Sequence, residues 1–177
     1  MNINHAFKPE HFILSANENF PNNPFLPVIL YKNVLPNPKA DNVRALLKAN
    51  NWKNDWVNGI YDYHHFHSIT HEVLVALKGY CEVMLGGPNN KKVHFEAGDV
   101  LLLPAGVAHK NEEQSEDFSC VGAYPNGNDF DIKKGEASER SAAEEAIQKV
   151  PIPATDPVFG EKGVLQQLWK LLEYDGL

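Results

Sequence analysis

Two glycine-punctuated stretches constrain this chain more than anything else in it. The first runs from Gly59 through five residues to His65, one residue to His67, four residues to Glu72 and six more to Gly79. The second runs from Gly98 through five residues to Pro104, one to Gly106, and two more to His109. Side chains alternate across a strand, so His65 and His67 project from one face wherever the segment is extended. Ile60, Tyr61, Tyr63 and Phe66 are β-branched or aromatic and no proline interrupts them, which predicts a strand there.

Ser68-Ile69-Thr70 reads as a tight connection, after which Glu72 opens a second apolar run, Val73 to Leu77, expected to return alongside the first and bring its carboxylate towards the histidines. Gly79 is expected to supply a positive φ or a bulge before the strand Tyr80 to Leu85. Ala97-Gly98-Asp99 predicts a turn, Val100 to Leu103 a short strand, and Pro104-Ala105-Gly106 a redirection that presents His109. Three imidazoles and one carboxylate suit one divalent transition metal (Fe, Mn, Ni, Co or Zn), whereas nitrogen donors disfavour calcium and magnesium. If the ion is six-coordinate, four protein ligands leave up to two positions open for water, dioxygen or a chelating substrate.

Both stretches resemble the paired motifs of the cupin superfamily, the first at every signature position. The four-residue spacer between His67 and Glu72 is similar to that of germin-like members. In detail the chain is similar to the small single-domain bacterial cupins of the YjlB-like group. Phe20-Pro21-Asn22-Asn23-Pro24, Gly122-Ala123-Tyr124-Pro125 and Asp156-Pro157-Val158-Phe159-Gly160 carry that likeness over nearly the whole length. The resemblance implies an all-β cupin double-stranded β-helix, a jelly-roll barrel with a few flanking helices. It implies His65, His67, Glu72 and His109 as metal ligands, and a homodimer. One departure stands out: the second motif usually closes with asparagine four places after its histidine, where this chain has Glu113, with Asn111 nearby.

Strand parity sorts the remaining candidates. Tyr61 and Tyr63 fall on the ligand face and, with Glu113, are candidates for lining a pocket; each tyrosine is otherwise a packed core residue. His64 and His71 fall out of phase and should face away, towards surface, an interface or the ligands' supporting groups. A one-residue slip in register would reverse these assignments. Lys110 should point to solvent, and His5, His11 and His94 read as structural or solvent-facing. Cys81 and Cys120 lie in apolar runs and read as buried free thiols. Trp52 and Trp56 either cap the barrel mouth or pin the preceding helix. No side chain is singled out as catalytic.

The 177 residues, 43% of them hydrophobic, suit one well-filled core. We divide them into an amino-terminal arm and helix over 1–58, a barrel core over 59–124 and a carboxy-terminal helical segment over 125–177. The arm carries one strand, Val28 to Tyr31, and helices are predicted over Asp41 to Asn50, Glu139 to Lys149 and Val164 to Tyr174. Val73 to Leu77 is apolar on both faces, so its outer side needs a cover from the arm or a second subunit.

Two cysteines, a start without a signal peptide's apolar segment, and apolar runs far shorter than the ~20 residues that span a bilayer point to a soluble cytoplasmic protein. A net charge of −7 with only two arginines argues against nucleic acid as a partner and leaves a small-molecule ligand. Three functions fit: a metal-dependent oxidoreductase, dioxygenase-like, acting on a small organic molecule; an isomerase or hydrolase using the metal as a Lewis acid; and a non-enzymatic ligand-binding or sensor protein.

Overall fold

The alternation of apolar side chains through the middle of the chain resolves into two facing sheets. The computed structural model describes residues 1–17 and 19–170. Its strands are β1 (Glu10–Leu14), β2 (Asn23–Tyr31), β3 (Trp52–Asn58), β4 (Glu72–Lys78), β5 (Tyr80–Leu85), β6 (Lys91–Glu96), β7 (Val100–Leu103), β8 (His109–Gln114) and β9 (Ser119–Pro125). The helices are α1 (Ala40–Ala49), α2 (Arg140–Gln148) and α3 (Val164–Leu168). A six-stranded sheet in the order β1-β2-β7-β4-β9-β3 faces a three-stranded sheet in the order β6-β5-β8, every pairing antiparallel. This is the jelly-roll barrel of the cupin fold.

Period-two patterning divides the large sheet into two buried faces. Leu74, Ala76, Leu101, Leu103 and Cys120 point inward and pack on Cys81, Val83, Leu85, Val93 and Phe95 of the small sheet. Their neighbours Val73, Val75, Val100, Leu102 and Val121 point outward against Val43 and Leu47 of α1, Leu165 of α3, and Trp169. The cover that β4 requires is therefore supplied by the same chain. Each such apolar side chain contributes about 1.5–3 kcal/mol by leaving water. Burial pushes the Cys81 thiol up to about 12, helped by nearby Glu82, and raises Cys120 well above its ordinary value, as expected of buried free thiols.

Two of the three predicted helices match within a residue at each end. The third begins at Val164 as expected but is helical only to Leu168; Trp169 and Lys170 are not helical, and the rest of that prediction, from Leu171 to Tyr174, lies outside the described residues. The buried Asp156 ties this end of the chain to the sheet by accepting the Tyr31 hydroxyl and the backbone N–H groups of Val158, Phe159 and Leu165.

The structure departs from the sequence reading in two places. The six-stranded sheet reaches back before residue 59, enlisting β1, a β2 much longer than Val28 to Tyr31, and β3. The predicted strand from Ile60 to Phe66 does not form either. The backbone bends at Asp62–Tyr63, and only His65 and Phe66 make isolated bridges, to His109 and Lys133. β4 does not pair with this segment because β7 and β9 already occupy its two edges. No described helix is long and apolar enough to cross a membrane.

Candidate metal centre

Backbone bonds, rather than a continuous strand, bring the donors together. His65 and His109 exchange a pair of them, N to O at 3.2 and 2.9 Å, which sets their rings 4.0 Å apart, centre to centre. Gly106 donates to the His67 carbonyl at 2.8 Å. Its φ of +93° and the space around it both demand glycine, since a Cβ there would lie 2.5 Å from the Asn22 carbonyl oxygen. Glu72 begins β4 opposite Leu103 and points its carboxylate inward.

One donor nitrogen from each of His65, His67 and His109 lies within 4.8 Å of the others. The Oε2 atom of Glu72 lies 3.3 Å from Nε2 of both His67 and His109. All four side chains are buried. The opposite nitrogen of each ring is committed to the main chain: Nδ1 of His65 donates to the Tyr63 carbonyl at 3.1 Å, that of His109 to the Val107 carbonyl at 3.1 Å, and that of His67 to the Asp131 carbonyl. A carbonyl only accepts, so Nδ1 carries the proton and each Nε2 presents a lone pair to the centre.

Three lone pairs and a buried carboxylate oxygen without a well-formed hydrogen bond thus converge on one point. Such a cluster repels itself unless a cation fills it, and the nitrogen-and-oxygen donor set fits a divalent transition metal. Burial opposes protonation of His67, but Glu72 and the Asp131 carbonyl outweigh burial and raise it above its ordinary value. Burial and the neighbouring His109 push His65 down to about 3. For Glu72, burial disfavours the charge, yet His67 and His109 hold its carboxyl well below the usual carboxylate range.

The donors form the floor of a cavity of about 360 Å³, walled by Trp56, Ile60, Tyr61, Leu74, Tyr124 and Phe130. Tyr124 donates to Glu72 Oε1 at 3.1 Å and accepts from the Trp56 indole N–H at 2.9 Å, leaving Oε2 as the atom turned to the histidines. Burial and the adjacent carboxylate raise the Tyr124 hydroxyl above its ordinary value, so it remains a donor.

The chain matches the Cupin family over residues 58–147. It is also 37% identical over 149 residues to the uncharacterized protein YjlB of Bacillus subtilis (strain 168), an alignment covering 84% of this chain and 89% of that one. It belongs to the cupin family. Among solved structures, this cupin is similar to RmlC from Streptococcus suis in complex with dTDP-D-xylose (10% identity, 96% of each chain, TM-score 0.40). It is also similar to acireductone dioxygenase from Bacillus anthracis with a cadmium ion in its active centre (14% identity, 54% of this chain and 60% of that one, TM-score 0.34).

The other candidates fall into place around this cupin's floor. Tyr61 lines the cavity, half exposed, its ring stacked on Tyr63 at 4.9 Å and edge-on to His65 at 5.1 Å. Tyr63 lies behind it, outside the lining, with the Lys134 ammonium over its far side. Glu113 also lies outside the lining, exposed and opposite Glu82. A bulge in β8 after Asn111 shifts the alternation and turns Glu113 to the outer face. Lys110 pairs with Glu112, as a solvent-facing residue should.

The two tryptophans divide the roles open to them. Trp56 lines the cavity, while Trp52 is buried beside α1 and donates to the Thr155 carbonyl at 3.0 Å. Tyr124, Phe130 and Asp131 were not singled out from sequence. Phe130 stacks on Tyr124 at 4.8 Å and meets His67 edge-on at 5.3 Å; the Asp131 carboxylate holds the Ser68 backbone N–H and hydroxyl. For Phe130 and Asp131 the signal was the alternation Asp129-Phe130-Asp131-Ile132 after the Asn126-Gly127 turn, and for Tyr124 its place in Gly122-Ala123-Tyr124-Pro125.

Proposed function

We propose that this cupin is a metal-dependent oxidoreductase, of the dioxygenase type, acting on a small organic molecule, with His65, His67, Glu72 and His109 holding iron or manganese in the divalent state. The observation that carries this reading is the convergence of three inward-facing Nε2 atoms and one buried carboxylate oxygen at the floor of an aromatic cavity. A bound ion of that kind supplies redox capacity and open positions at which substrate and dioxygen bind. The side chains fix the donor geometry, Tyr124 holds Glu72 so that one oxygen points to the centre, and the aromatic walls limit water at the floor.

The Lewis-acid alternative needs a free base beside the ion. Glu113 stands on the outer face, Tyr63 lies outside the lining and Tyr124 is committed between Trp56 and Glu72, while Tyr61, which does line the cavity, brings a hydroxyl rather than a carboxylate base. That placement favours chemistry centred on the metal over proton transfer by a side chain. For assembly we propose a homodimer through the open edge of β1, where Ile13 and Phe25 expose apolar side chains; light scattering in solution checks it.

The functional test is elemental analysis of untagged, natively purified protein with electron paramagnetic resonance of the bound metal, followed by oxygen uptake with candidate substrates. Iron or manganese near one per chain with substrate-dependent oxygen uptake is the expected result. Stoichiometric zinc with turnover in the absence of oxygen would overturn it.

A further inference from the structure

The cavity that the proposed reading leaves open has a marked chemical bias. Four aromatic rings, Trp56, Tyr61, Tyr124 and Phe130, stand in its wall with Ile60 and Leu74. Two of the rings stack on a neighbour. Phe130 lies nearly parallel to Tyr124, with an interplanar angle of 19°, and Tyr61 nearly parallel to Tyr63, at 20°. The Trp56 indole lies flat on Gly122, where a Cβ would come within 2.2 Å of its Cζ2 atom, so the backbone of β9 is kept bare to let that ring form the wall.

Beyond the rings the lining also carries two amides, Asn54, which donates to the Asn128 carbonyl, and Asn58, whose side-chain oxygen accepts the Gly59 N–H. The Tyr124 hydroxyl and the Trp56 N–H bond to each other, and Tyr124 also serves Glu72. Asp55 at the exposed end of the cavity is paired with Arg44. Tyr61 keeps its hydroxyl free of any protein partner among the described residues. Among those residues no lysine or arginine lines the cavity, so a phosphate or a second carboxylate entering it would find no cation except the ion on the floor. A volume of about 360 Å³ lies at the small end of small-molecule sites.

We propose that the ligand of this cavity is a planar, conjugated molecule of one or two rings, uncharged apart from a pair of oxygens that chelate the metal, and lying against the aromatic walls with its outer edge near the Tyr61 hydroxyl. This rests on the metal-dependent reading above. Flat rings offer such a ligand stacking and edge contacts that an aliphatic acid cannot exploit, while a lining without lysine or arginine penalises phosphorylated compounds.

The test uses the full chain loaded with cobalt(II), whose visible absorption reports ligands entering its coordination sphere. Three chelators are titrated without turnover: tropolone, which is planar and conjugated; oxalate, which lacks a ring; and 2-phosphoglycolate, which carries a phosphate. Wild-type protein is expected to bind tropolone most tightly of the three. Phe130→Ala and Tyr61→Ala should each weaken tropolone by roughly five- to tenfold, the scale of an aromatic contact, while cobalt content and oxalate affinity stay within about twofold. Equal losses for tropolone and oxalate, or 2-phosphoglycolate binding as tightly as tropolone, would overturn the ligand class and leave the metal site standing. Cobalt binding unaffected by Glu72→Ala and His109→Ala would instead sink both.

Discussion

His67 and His71 stand four residues apart, both buried, and lead opposite lives. His67 faces the cavity, donates Nδ1–H to a carbonyl and turns the Nε2 lone pair towards Glu72. His71 faces the outer side of the large sheet, where its ring packs 4.7 Å from that of Trp169. Its Nδ1 accepts the Ala105 N–H at 2.9 Å, so its proton sits on Nε2, which meets the Pro151 carbonyl only outside good hydrogen-bond geometry. Burial pushes His71 down to about 4, which keeps it neutral. Burial of an imidazole therefore does not make a ligand; the direction of the bond at its other nitrogen decides whether a lone pair is left to offer.

That contrast breaks most sharply at Glu72. Glu72→Gln keeps the shape of the side chain and removes the charge that balances the cation, so metal affinity should fall by at least ~100-fold, more than groups outside the ligand set cost. Competition with a chromophoric chelator measures it, and a loss under tenfold would mean that the carboxylate is not a ligand. His71→Ala should act on the other side of the comparison. It strands the Ala105 N–H and empties the space under Trp169, offset in part by removing the poorly bonded Nε2–H, for a net loss of about 2 kcal/mol of stability with metal content unchanged. Denaturant titration beside elemental analysis reads both. Metal lost from folded His71→Ala protein would erase the distinction drawn here.

Between these extremes lies Asp131. Asp131→Ala removes the bonds to Ser68 that anchor the carbonyl orienting His67. Metal affinity should drop about tenfold, within the ~10–100-fold range for such supporting groups. Unchanged affinity would show that His67 holds its orientation without help.

The four candidate donors were readable because their spacing is punctuated in the sequence, by the glycine at Gly106, a proline stop and an apolar run behind Glu72, although the strand expected to carry His65 and His67 is replaced by isolated bridges. The same logic explains the mistakes. Parity carries only as far as the backbone stays regular, and the bend at Asp62–Tyr63 removes Tyr63 from the cavity while the bulge in β8 turns Glu113 outward. β3, Trp-Lys-Asn-Asp-Trp-Val-Asn, is a largely exposed edge strand with its own bulge, and so shows no alternation to detect. Asp131 and Phe130 reach the site on a segment whose tie to the barrel includes two backbone bonds between Phe66 and Lys133, a long-range pairing that no periodicity announces.

Tyr124 offers the finest test of how the two histidine environments differ, because it touches Glu72 without approaching the outer face. Its hydroxyl spends its proton on Oε1 and its oxygen on Trp56. In Tyr124→Phe the ring stays, Phe130 keeps its stacking partner, and one donor to the carboxylate is lost. Glu72 becomes freer to rotate about its end and the Trp56 N–H turns to solvent, which this half-buried ring can reach. We expect metal affinity to fall by roughly three- to tenfold, at the lower edge of what a supporting hydrogen bond contributes. Stability should change by less than about 1.5 kcal/mol. A collapse in stability with metal affinity intact would move Tyr124 out of the metal centre and into the structural framework, on the same side of the comparison as His71.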